Sequence, residues 1–164
     1  MGGSADLVFD AEGRVAWDQI WDDFCDLALA GGPPHRGTML SFAIASEIDD
    51  HRERYIQVAA ELIRGLTLVT GWRARTAGQS GRIELMCPDE DAAAWLEEAV
   101  NAENVHAGRS GASLFLPAGP RFALKEEIRN VVTAVAKAHH YWTEHRESID
   151  SIRKASIGAR LESA

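Results

Sequence analysis

Residues 66–88, LTLVTGWRARTAGQSGRIELMCP, decide the fold class, because the hydrophobic period changes inside them. Upstream, apolar residues recur every three or four positions. Here LTLVTGWRAR (66–75) and RIELMCP (82–88) are rich in β-branched or alternating residues and flank the glycine-containing segment TAGQSG (76–81). That is the pattern of two strands joined by a turn. An antiparallel hairpin is therefore expected in the middle of the chain, and the other elements can be placed around it.

Toward the N-terminus, Ile48, Tyr55, Ala59, Leu62 and Ile63 mark one helical face that begins near Ser46, where Asp49 supplies a capping arrangement, and runs as far as Gly65. Before it, Trp17, Ile20, Trp21, Phe24, Leu27 and Ala28 form an amphipathic stripe between Val15 and Ala30, with Gly31 and Gly32 as the stop. Toward the C-terminus, Pro88 and Asp89 open a helix whose acidic first turn suits the helix dipole and which should end near Asn104. VHAGRSGASLFLPAG (105–119) then offers two more short strands around Arg109, Ser110 and Gly111, and Pro120 introduces a long terminal helix from Phe122 or Ala123.

The element order is α-α-ββ-α-ββ-α. It predicts an α+β fold in which two hairpins make a four-stranded, mainly antiparallel sheet packed on one face against about four helices. Residues 1–148 should form a single domain, and residues 149–164, thin in hydrophobicity, a C-terminal tail that frays or serves as an interaction segment.

The chain has 164 residues, 46% hydrophobic and 26% charged, which is the balance of a globular domain large enough to need no disulfide or metal for stability. Its opening, MGGSADLVFDAEGRV, has neither a basic region nor a sustained apolar run, and Cys25 and Cys87 lack metal or redox spacing, so a cytoplasmic location with reduced thiols is expected. A net charge of −8 argues against a nucleic-acid surface and against binding to anionic membranes. No apolar run is long enough to span a bilayer.

The residues that could carry function fall into few groups. In GGPPHRG (31–37), Pro33 and Pro34 stiffen the backbone that presents His35 and Arg36, and a rigidly held arginine offers a planar donor fork to a carboxylate or phosphate. KAHHYWTEH (137–145) holds three of the six histidines. Helical spacing puts His139 on the apolar stripe with Ile128, Val132, Val135 and Trp142, while His140 and His145 flank it on opposite sides. His35 and His139 are the candidates for acid–base work, and Arg36, His140 and Trp142 for ligand binding.

Asp18, Asp22 and Asp26 form a carboxylate ladder on the first helix, and Glu47 with His51 stands at i, i+4, but neither reaches a metal signature, so no metal and no cofactor is expected. The motifs of dinucleotide, P-loop and hydrolase sites are absent from the sequence. Two readings of function follow. One is a domain that binds a small anionic ligand, carboxylate or phosphate, with acid–base turnover by histidine left open. The alternative is a non-catalytic homo-oligomeric or partner-binding assembly module that uses HHYW (139–142) as an interface patch. The discriminating observation is whether the arginine and the histidines line one cavity.

Overall fold

The structure is a computed structural model that describes residues 7–20, 39–77 and 81–162. Among these, helices α1 (Trp17–Ile20), α2 (Ala45–Asp50) and α3 (Arg52–Thr70) precede strands β1 (Ala74–Thr76) and β2 (Arg82–Met86). Helix α4 (Glu90–Ala102) and strands β3 (Gly108–Ser110) and β4 (Ser113–Pro117) follow. A π-helical turn (Leu124–Ile128) then leads into α5 (Arg129–Glu162). The α+β fold, the two hairpins and the order of elements are as the sequence predicts.

The sheet order is β1-β2-β4-β3, antiparallel throughout, so the inner strands of the two hairpins pair with each other. The register sets Ile83 opposite Leu116 and Leu85 opposite Leu114. All four are fully buried, and period-two alternation therefore gives the sheet one apolar face. Helix α3 lies on that face over β1 and β2, and α4 over β3 and β4. Helix α5 closes the core by packing on both of these helices, with Val131, Val132 and Val135 wholly inside.

Two expected boundaries are corrected. Helix α3 does not stop at Gly65, and residues 66–70 are helix rather than strand. Leu66 continues the buried face of Val58, Leu62 and Gly65, so burial on α5 and the sheet outweighs the β preference of Thr67, Val69 and Thr70. The stop is Gly71 at φ 75°, whose amide donates to Thr67 O at 2.8 Å, while the buried Thr70 hydroxyl donates to Leu66 O at 2.7 Å. Gly65 has a packing role instead: a Cβ there would stand 2.9 Å from Val132 Cγ2 and 3.1 Å from the Trp17 indole, so its bareness lets α1, α3 and α5 meet.

The second correction divides the single helix expected from Ser46 to Gly65. It is broken at His51, which takes φ −135° and ψ 46° between α2 and α3. No proline or glycine stands there, and the Asp49–Arg52 ion pair at 2.7 Å spans the break. The Asp89 side chain caps α4 by accepting from the Ala92 amide, in agreement with the acidic start read there.

Candidate functional site

His35 and Arg36 lie outside the described residues, as do Trp21, Asp22, Cys25 and Asp26. The other three predicted site residues sit on about one turn of α5 and diverge. His139 meets the edge of Trp72, just beyond the C-terminus of α3, with ring centroids 4.8 Å apart. His140 turns along its own helix, with Nε2 3.5 Å from a Glu144 carboxylate oxygen, and touches Tyr141 edge-on. Trp142 is buried on the other flank, where it meets Trp95 of α4 and His145. Neither the hollow at Glu47 nor the cavity beside Glu61 is lined by any of the three.

Trp142 belongs to a layered aromatic group that holds α5 to α4. The Trp95 indole donates to Ala138 O at 3.2 Å, His145 stacks on Trp95 at 4.7 Å, and the Arg146 guanidinium lies 5.8 Å from the centre of the Trp142 ring. Arg146 also reaches Asp89, the cap of α4, at 3.4 Å. These contacts end the body of the domain, because every described residue of α5 from Thr143 onward is exposed except Ile149, which is half-buried.

Burial, and next the neighbouring His140, push the His139 imidazole below its ordinary pKa. The unfolded chain therefore binds this proton more readily than the folded one. His139 favours the fold fully above the ordinary histidine pKa, and the contribution is lost as pH falls through the lowered one. Urea midpoints should consequently drop as pH falls from about 6.5, above the range where carboxylates titrate, and His139→Gln should flatten that drop. An unchanged slope in the variant would mean that His139 titrates freely in solvent.

Glu47 and His51 both line an open hollow of about 320 Å³ with Asp50 and Arg121. Glu47 pairs there with Arg121 at 3.3 Å, and no group of three or more potential ligands able to hold a metal exists among the described residues. Cys87 is buried, and burial first and Asp89 second push its thiol up to about 12, which leaves it without thiolate chemistry at neutral pH.

The structure adds a cavity of about 290 Å³ between the turn at residues 9–15 and helix α3. Its inner wall is Glu61, which accepts 3.0 Å from the Trp17 indole and forms a paired contact with Arg64 at 2.7 and 3.2 Å. Burial acts to raise the Glu61 carboxyl, but the Arg64 and Trp17 hydrogen bonds and the charges of Arg64 and Arg14 outweigh it and hold the group below its ordinary value. Sequence gave no sign of this site, since it joins segments more than forty positions apart with no motif in either. Neither a protein-family model nor a curated protein matches the chain.

Proposed function

We propose that the chain is a non-catalytic assembly module that pairs through the projecting half of α5 with a second copy of itself. One observation carries this reading: the core stripe of α5 does not end where the domain does. Ile128, Val131, Val135, Ala138 and Trp142 alternate three and four apart and are all buried. The same alternation continues through His145 to Ile149 and Ile152, and Ile152 is 64% exposed.

A spacing of 3.5 is that of a helix seam built to meet another helix. Helix α5 has 34 residues and so measures about 50 Å, of which about half projects past the body, too short a free helix to be stable alone in water. The seam is also self-complementary. In antiparallel pairs the two seam positions oppose each other, so a two-fold axis between Asp150 and Ser151 seats Ile149 of one copy against Ile152 of the other, twice. Residues 143–162 carry four basic and four acidic side chains, so no net charge opposes the pairing.

Analytical ultracentrifugation tests the reading. The protein should show a concentration-dependent dimer, and Ile152→Asp should weaken it by at least about thirtyfold, the equivalent of some 2 kcal/mol for one buried isoleucine, while the melting temperature of the body changes little. A chain that sediments as a monomer across the micromolar range sinks the reading, as does a dimer indifferent to Ile149→Asp and Ile152→Asp.

A further inference from the structure

We propose that the cavity between the 9–15 turn and α3 binds a small molecule with an apolar body and one carboxylate. The inference is independent of the assembly reading, since the projecting part of α5 takes no part in it. Its floor is apolar, built from Val58 and Ile128 of the core together with Leu124 of the π-helical turn. At its lip stands Phe9, 51% exposed.

Two exposed arginines line the cavity, Arg14 and Arg54. Arg54 is held in place, with one terminal nitrogen donating to Phe122 O at 3.1 Å and the other to Gln57 Oε1 at 3.4 Å. A guanidinium has five N–H donors, so these two bonds orient it and leave others for a ligand. Arg14 is positioned by its backbone. The Asp10 side chain accepts from the Glu12 and Arg14 amides at 3.0 and 2.9 Å, Gly13 adopts φ 78°, and a bridge from Phe9 to Val15 closes the turn.

Charge decides the ligand class. Glu61 is the acid among the lining residues, and its two oxygens are already taken up by Arg64 and the Trp17 indole. Among the described lining residues, the charges not engaged in an ion pair are those of Arg14 and Arg54, with Asp10 and Glu12 in the same turn as Arg14, in a chain whose net charge is −8. A locally positive, partly enclosed hollow in an acidic protein concentrates small anions against the surrounding repulsion. A volume of about 290 Å³ is at the lower end for small-molecule sites, and the apolar floor demands a hydrocarbon portion. Both favour a short-chain or aromatic monocarboxylate over a nucleotide or a bare phosphate.

Octanoate is a suitable probe and octanamide its uncharged control, with binding to the full chain followed by ligand-observed NMR and calorimetry. Octanoate should bind at least about tenfold more tightly than octanamide, and Arg54→Gln should remove about tenfold or more of its affinity, the loss expected of one charge-assisted hydrogen bond. Because Arg54 also supports Phe122, the exposed Arg14→Gln is the second variant, expected to weaken octanoate while leaving the melting temperature unchanged. Arg36→Gln should have no effect. The proposal is overturned if octanoate fails to bind at millimolar concentration, if octanamide binds as well, or if Arg36→Gln abolishes binding that both cavity variants retain.

Discussion

Trp17→Ala is expected to lower the unfolding free energy by about 4 kcal/mol, within the range for large aromatic deletions from a core. Trp17 has no exposed surface. It lies against Gly65, where α3 comes close to Val132 of α5, so its removal opens a void at the meeting point of three helices. Arg64 ties α3 to Val15 O at 2.6 Å, which restrains the helices from collapsing into the gap. The indole also supplies one of the hydrogen bonds that keep Glu61 ionised in its half-buried position. Trp17→Phe separates the two effects, since it retains most of the volume and loses only the donor, at about 1 to 2 kcal/mol. Chemical denaturation measures both. A loss for Trp17→Ala within the roughly 0.5 kcal/mol typical of surface changes would place the side chain outside the core.

What the sequence disclosed depended on the range of the interaction. Ile83, Leu85, Leu114 and Leu116 alternate along their own strands, and Asp89 stands just before the helix it caps, so these features are readable from neighbours alone. Residues 66–70 misled for the opposite reason. Thr67, Val69 and Thr70 carry a local strand preference, and only the burial of Leu66 and Thr70 against distant parts of the chain keeps the segment helical. The same distinction applies to the candidate sites. His139, His140 and Trp142 attract notice because they are adjacent in sequence, yet α5 sends them to different neighbours. The continuing stripe through Ile149 and Ile152 was readable, since its three-four spacing is local, but the falling hydrophobicity of the tail hid it. The arginine-lined cavity was not readable, because its halves come together only through the tertiary fold.

The same dependence on distant neighbours makes Gly81→Ala the second large effect, and no property of TAGQSG as a turn would predict its size. Gly81 has φ 81°, a conformation that costs an ordinary residue about 1 kcal/mol or more. The greater part comes from what crosses it. Leu40 pairs with Val105, and Phe42 stacks on His106 at 4.7 Å and carries the Arg82 guanidinium 4.6 Å from its ring centre. Ala43 then passes directly over Gly81. A Cβ on Gly81 would fall inside contact with the Ala43 carbonyl oxygen and 2.9 Å from its amide nitrogen, so backbone rather than a rotatable side chain must give way. Nor can Gly81 itself retreat, because its amide donates to the Tyr55 hydroxyl at 3.2 Å and its carbonyl accepts from Ala118 at 3.0 Å. Overpacking of this kind costs about 1 to 3 kcal/mol, which with the backbone term gives a total of about 3 kcal/mol. Gly71→Ala is the internal control, since Gly71 has a similar φ of 75° and open space around its Cβ, and it should cost only the backbone term of about 1 kcal/mol. Equal losses for the two variants in chemical denaturation would show that the crossing at Ala43 exerts no steric hold on the hairpin.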